Sequence, residues 1–194
     1  MRTPLIAMVA TLFLSLSGGV TRGSADVPWP AQCTPEGLLQ RPTAYREWIY
    51  LTSGLDMSYA KRLEMTGHSM FDNVFVDREG YRGFLQTGTW PDGTMLVLEL
   101  RAASSHGAIL KTGKFQTPEV MQLEVHLKDT KRFEGGWGFF SFSGDGPAAM
   151  LPHAAPCYAC HQQHAVVDTT FVQFYPTLLP VAKSKGTLAP GIEP

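Results

Sequence analysis

Alternation of apolar and polar side chains is the main regularity along this chain. In its clearest stretch, methionine, leucine and valine side chains alternate with Gln122, Glu124 and His126. A repeat of two residues is typical of β-strands, and the glycine- and serine-rich connections favour antiparallel pairing. The pattern predicts strands at residues 70–76, 94–101, 120–127 and 137–143.

A helix is predicted between the first two of these strands. Asp77 suits its N-cap, residues 78–86 carry apolar side chains at helical spacing, and Gly88 suits its end. Together these elements predict one α+β domain, with a largely antiparallel β-sheet and a few helices at one side.

The C-terminal part of the chain changes in composition. Past Gly144 proline and alanine become frequent, and a short helix is expected to run through Phe174 until Pro176 and Pro180 stop it. The predicted divisions are a leader at residues 1–25, an extended segment at 26–44, one folded domain at 45–180 and a polar tail at 181–194.

The first 25 residues have the features of a secretory signal peptide. Arg2 supplies a positive start, residues 5–16 form an apolar run, and small residues allow cleavage near Ala25. The run is short for a bilayer span, so a retained membrane anchor is the less favoured alternative. The mature chain is expected in a bacterial periplasm, free of the membrane.

The charge balance argues against nucleic-acid binding. The chain has 16 basic and 17 acidic residues, and loss of Arg2 and Arg22 with the leader leaves 14 basic residues against the same 17 acidic ones. Neither a basic excess nor a basic run is present, although nucleic-acid-binding domains usually show one or the other.

The residues with the most chemical information are Cys157, Cys160 and His161, in the order C-x-x-C-H. This order is the attachment signature of a c-type haem, in which two thiols bond to the porphyrin and the histidine binds iron. One covalently attached haem c is therefore expected between the sheet and the C-terminal segment, with His161 as the metal ligand.

Other uses of the motif are less favoured. A zinc site needs more ligands, and Cys33 is the only other cysteine. A thioredoxin-like pair expects a βαβ context, and a plain disulfide leaves the adjacent histidine unexplained. Cys33 itself could be buried and inert, or could bridge two subunits in an oxidising compartment.

The second axial position of the iron decides what such a protein does. No methionine follows the motif, and His164 is too close to His161 to reach the opposite face of the ring. An open distal face, which suits small ligands, is favoured over a second protein ligand. Of the upstream histidines, His126 is expected to make a surface or dimer contact. The upstream candidates for a sixth ligand are His68, His106, His126, His153 and the methionines at 57, 65, 70, 95, 121 and 150.

Several short strings, in this order and together with the late haem motif, resemble the cytochrome P-460 family. Singly each is weak, but together they span most of residues 45–180. They are residues 45–48 (YREW), 73–77 (NVFVD), 87–94 (TGTWPDGT), 128–133 (KDTKRF) and 171–176 (FVQFYP).

The resemblance implies a homodimeric periplasmic c-haem protein on an antiparallel sheet, with an open distal pocket and a cytochrome or other acceptor as redox partner. The best-known activity of the family is oxidation of hydroxylamine to nitrous oxide. A sister group, the cytochromes c′-beta, resembles it in fold but binds nitric oxide and carbon monoxide beneath apolar caps.

One expected feature of the family is missing. Its catalytic members carry a lysine cross-linked to the porphyrin, which the resemblance places just before Thr87-Gly88. This chain has Leu85 and Gln86 there. The departure gives more weight to gas binding but leaves hydroxylamine chemistry open.

The resemblance also implies distal residues after the strand at 137–143. Asp145 could act there as a general base, or it could cap its own glycine-flanked turn. Ser143 could hydrogen-bond a bound ligand. The candidates for apolar walls of the pocket are Phe71, Phe84 and Phe139.

Three functions stay open at this point. The first is a haem enzyme that oxidises hydroxylamine, and the second is a protein that binds nitric oxide without turnover. The third is an electron carrier with a second protein ligand on the iron. The first two share an open distal site for a small nitrogen compound, and both are favoured over the third.

Overall fold

The computed structural model describes residues 32–57, 69–107 and 109–191, which form an α+β fold around a five-stranded sheet. Each strand pairs antiparallel with the next one along the chain. The strands are β1 (Ile49–Leu55), β2 (Met70–Val76), β3 (Met95–Ser104), β4 (Phe115–Lys128) and β5 (Trp137–Phe142). The helices are α1 (Arg78–Thr87), α2 (Pro156–His164) and α3 (Leu179–Lys185), with 3-10 turns at Tyr45–Glu47, Glu134–Gly136 and Val172–Phe174.

The predicted fold class is confirmed, and all four predicted strands are present. β4 starts earlier than the alternation indicates, because Phe115 pairs with Ser104 beyond a register irregularity at Arg101. Sequence reasoning does not find β1, since Ser53 and Gly54 interrupt its apolar pattern.

The capping residues of α1 also fix the helix to the sheet. The Asp77 carboxylate accepts a hydrogen bond from the Gly80 backbone N–H at 2.7 Å, as an N-cap does. Its other oxygen accepts from the Met95 backbone N–H of β3 at 2.6 Å. Gly88 ends the helix at a φ of 78°, a conformation that glycine adopts without strain.

Both faces of the sheet pack against other parts of the chain. One face forms a core with α1 and the C-terminal segment, including Phe84 and Leu178. The other face forms a second core with Leu39 of the N-terminal segment, including Leu123 and Phe140. Alternating residues of a strand therefore enter two different cores, and a polar residue in the alternation need not face solvent.

The prediction of one helix through Phe174 is wrong. α2 ends at His164, and the chain then turns sharply, with positive φ values of 48° at Asp168 and 55° at Thr169. Two consecutive residues in the left-handed region cannot continue an α-helix. The segment after α2 therefore folds back beside it.

The prediction that Pro180 stops a helix is also wrong. Pro180 lies in the first turn of α3, where a missing N–H removes no intrahelical hydrogen bond. The segment from residue 181, predicted as a polar tail, thus includes most of a helix that ends at Lys185. Over the described part of the chain, no helix has both the length and the hydropathy needed to cross a membrane.

Candidate haem-binding site

A cavity of about 270 Å³ separates one face of the sheet from α2 and the residues after it. β1 to β4 line one side, with the apolar side chains Val74, Leu96 and Leu98 among the contributors. α2 borders it elsewhere, together with Phe171 and Phe174 of the returning segment. The cavity therefore lies between the sheet and the C-terminal segment, where the sequence suggested a bound group.

All three residues of the attachment motif line this cavity. They lie on α2, where spacings of three and four residues bring Cys157, Cys160 and His161 to neighbouring positions on the helix surface. Both cysteines are free thiols, and burial raises the pKa of Cys157. Among the described residues no cluster of three or more His, Cys, Asp or Glu is placed to hold a bare metal ion.

The turn after α2 orients His161. Its Nδ1 atom lies 2.8 Å from the Thr169 backbone oxygen. Because a carbonyl only accepts, Nδ1 carries the proton and Nε2 keeps its lone pair. Burial lowers the pKa of His161, and the hydrogen bond to Thr169 opposes that shift in part. The imidazole is thus the neutral, oriented form that a metal ligand requires.

The carbonyl of Thr169 belongs to a strained turn. Positive φ is uncommon at non-glycine residues, and for a β-branched threonine it costs energy. Asp168, the preceding residue of the turn, forms an ion pair with Lys128 at the end of β4. The sheet therefore holds the turn that positions His161.

Aromatic rings pack around His161. The ring centre of His126 lies 4.7 Å from that of His161, and His126 stacks on Phe139 at 3.9 Å. Phe139 stacks in turn on Tyr158 of α2 at 4.2 Å. The expectation of a surface or dimer contact for His126 is wrong, because the strand face that carries it borders the cavity. Burial lowers the pKa of His126 well below its usual value.

Of the residues that the structure describes, two with carboxyl groups line the cavity, Glu124 of β4 and Asp72 of β2. Burial raises the pKa of Glu124, and the charge of Asp72 adds to that rise. Burial also raises the pKa of Asp72, to about 6. Sequence reasoning missed both residues. The available signal was their alternation with apolar residues on the face that carries Val74 and His126.

The acid proposed from the sequence lies elsewhere. The Asp145 side chain is 98% exposed and forms an ion pair with Arg41 at 2.9 Å. Ser143 is exposed, and neither residue lines the cavity. Of the proposed aromatic walls, neither Phe139 nor Phe84 lines the cavity. The ring centre of Phe139 lies 4.9 Å from that of His161, whereas the fully buried Phe84 packs on Trp90. Phe71 does not line the cavity.

Among the described residues no lysine lines the cavity. Leu85, at the position where the sequence suggested a missing cross-link, is 41% exposed on α1 and does not border it either. Lys114 and Lys128 are held in ion pairs with Asp56 and Asp168. On the sheet side, the described lining residues include leucine, valine and threonine but no amine.

Of the described candidates for a second iron ligand, only His126 and Met57 line the cavity. The ring centres of His126 and His161 lie 4.7 Å apart, so the two imidazoles are in direct contact with each other. His68 and Met65 lie outside the described residues.

The donor set and its setting fit a c-type haem. Two free thiols and one neutral imidazole border a cavity whose other walls are largely apolar, which defines the class as a c-type cytochrome. The family model for Cytochrome P460 matches residues 42–172, more than half of the chain. The chain therefore belongs to the cytochrome P460 family. No individual curated protein is significantly similar to it.

Proposed function

We propose that this chain is an exported monohaem cytochrome that binds and oxidises small nitrogen compounds such as hydroxylamine. Cys157 and Cys160 hold the porphyrin, and His161 holds the iron. The haem supplies an iron that binds the ligand and takes up its electrons. The observation that carries the proposal is Glu124, a half-buried carboxyl that lines the same cavity as the attachment motif.

Glu124 has the properties of a proton acceptor. Its pKa is raised by burial, and a base is most effective when its pKa lies nearer the working pH. Gln122 orients the carboxyl, since its Nε2 atom donates to Glu124 Oε1 at 2.9 Å and to Ser141 Oγ at 2.9 Å. A carboxyl fixed in this way can take a proton from a ligand in the cavity.

The proposed reaction requires such a base. Two hydroxylamine molecules give one nitrous oxide and one water, with the release of four protons and four electrons. The four electrons would pass to an external acceptor, such as another cytochrome. The protons pass to Glu124, which returns each of them to water before it accepts the next.

Export and assembly are further parts of the proposal. Residues 1–25 lie outside the described residues, so cleavage near Ala25 rests on the sequence pattern. A periplasmic location agrees with covalent haem attachment, and a homodimer is implied by the resemblance to the family.

Turnover by the purified ferric holoprotein tests the function. With hydroxylamine and an oxidised acceptor, we expect acceptor reduction and nitrous oxide above the level of free haem. Glu124→Gln should lower the rate by about 100-fold, within the usual range for loss of a general base. Glu119→Gln is the matched control, because Glu119 lies exposed on the same strand. Wild-type turnover no faster than free haem would rule out the enzyme.

Binding of nitric oxide without turnover is the second candidate. The lack of a cavity lysine among the described residues and the apolar wall of Leu96, Leu98 and Phe171 favour it. In that case the ferrous protein binds nitric oxide tightly and shows no hydroxylamine oxidation. Met57 supports the electron carrier, since its thioether lies at the cavity. A low-spin spectrum in both oxidation states before any ligand is added would identify that carrier.

A further inference from the structure

Asp72 is an unusual feature of the cavity, because one of its carboxyl oxygens is left unpaired. Oδ2 is buried and has no hydrogen-bond partner among the described residues. Its cross-strand neighbours, Gly54 of β1 and Leu100 of β3, have no polar side chain to offer. An unsatisfied buried acceptor costs free energy. A functional reason is therefore expected for an acid at this position.

Gly54 lies beside this carboxyl. A Cβ at position 54 would lie 2.0 Å from Met57 Sδ and 3.4 Å from Asp72 Oδ2. Any other residue would displace the Met57 side chain from its place at the cavity. The chain thus places its smallest residue directly opposite Asp72 in the β1–β2 register.

The charged side chains around the cavity carry one sign. Asp72 and Glu124 line the same side of it, on strands separated only by β3. Among the described residues that line the cavity there is no lysine or arginine. Asp56 also lies near Asp72, but its charge is paired with Lys114, which does not line the cavity. Ionised carboxylates here are not neutralised by a cation within the cavity wall.

We propose that Asp72 and Glu124 make this pocket discriminate against anionic haem ligands and favour neutral or cationic nitrogen compounds, with Asp72 as the specificity-determining residue. A carboxylate repels an anion, and the repulsion strengthens where water is partly excluded. The same carboxylate accepts hydrogen bonds from N–H and O–H groups. The inference deepens the proposed function, and it rests on haem occupying the cavity.

Ligand titrations of the ferric holoprotein test this discrimination. Azide serves as the anion and nitric oxide as a small neutral ligand, and each affinity is read from the visible spectrum at one pH and ionic strength. Asp72→Asn should raise the azide affinity about tenfold relative to nitric oxide, as expected for removal of one nearby charge. Glu124→Gln should shift the ratio in the same direction. Glu119→Gln removes a charge outside the cavity and should leave it unchanged.

The outcomes separate this inference from the proposed function. An inactive protein whose azide affinity rises in Asp72→Asn supports the discrimination and contradicts hydroxylamine oxidation. A protein that oxidises hydroxylamine, but whose ratio of azide to nitric oxide affinity is unchanged in both variants, supports the proposed function and contradicts the discrimination. If Asp72→Asn does not retain haem, Glu124→Gln decides the outcome. Failure of the wild type to bind either ligand overturns the inference as well.

Discussion

A single carboxylate, Glu99 of β3, organises the polar part of the second core, on the face of the sheet away from the cavity. It is 1% exposed and accepts hydrogen bonds from Tyr45, Arg46, Asn73 and Arg101. Burial alone would raise the pKa of Glu99, but these partners together lower it to about 2. The ionised form is therefore strongly favoured in the folded protein.

Replacement of Glu99 tests how much this cluster stabilises the fold. A folded-state pKa of about 2 against an ordinary 4.5 corresponds to about 3 kcal/mol of stability, present above pH 4.5 and lost as the pH falls towards 2. We expect Glu99→Gln to lower the free energy of unfolding at pH 7 by about that amount. Urea unfolding between pH 7 and pH 3 measures it. If the difference in unfolding free energy between wild type and Glu99→Gln stays constant over this pH range, the lowered pKa of Glu99 is contradicted.

The acids of the cavity show the limit of sequence reasoning for single residues. Alternation correctly assigns Asp72 and Glu124 to strand faces, but it cannot tell a face on a cavity from a face on solvent. Asp145 is predicted as a distal acid because it follows β5 in the chain. Its side chain is instead exposed to solvent and forms an ion pair with Arg41. The distinction depends on the packing of α2 against the sheet, which no local pattern encodes.

Among the elements, the end of β4 and the turn after α2 act together on His161. Lys128 of β4 pairs with Asp168, and the adjacent Thr169 carbonyl accepts the Nδ1 proton of His161. A hydrogen bond of this kind raises the basicity of a ligating imidazole. Basic ligands favour the ferric state, so the turn should hold the reduction potential down.

Removal of the Lys128 ammonium tests this connection in the holoprotein. Lys128→Met loosens the strained turn and weakens the His161 hydrogen bond. The reduction potential should rise by roughly 30 mV, about a threefold change in the one-electron equilibrium. Lys131→Met is the matched control, because Lys131 is exposed, lies close to Lys128 in the sequence and has no part in the turn. Equal potentials in wild type and Lys128→Met would show that the turn is only structural.

Local signals explain which elements could be predicted. The four strands and α1 each carry their own pattern, with Asp77 and Gly88 marking the helix ends. The turn at Asp168 and Thr169 carries no such signal, because its positive φ values occur at non-glycine residues. Its ion pair comes from Lys128, 40 residues away along the chain. Pro180 is ambiguous by itself, since proline both begins and ends helices.

At the scale of the whole molecule, the described lysines lie away from the cavity wall, although the attachment thiols lie on it. Haem attachment should therefore involve only Cys157 and Cys160, with one haem for each chain. The Cys157→Ser, Cys160→Ser double variant should lose the covalent haem, and its mass should otherwise change only by the two substitutions themselves. This contrast separates thioether attachment from any bond to another side chain.

Intact mass measures this arrangement directly. We expect the mass of the chain from residue 26 onward plus one haem, without the further loss of hydrogen that a bond between a lysine and the porphyrin requires. The reason is geometric, because the described residues that line the cavity include Leu96, Leu98 and Val74 but no lysine. A lower mass in the wild type, restored by replacing one lysine, would place that lysine at the porphyrin edge. Such a lysine cross-link would support the proposed hydroxylamine oxidation, because the catalytic members of the family carry one.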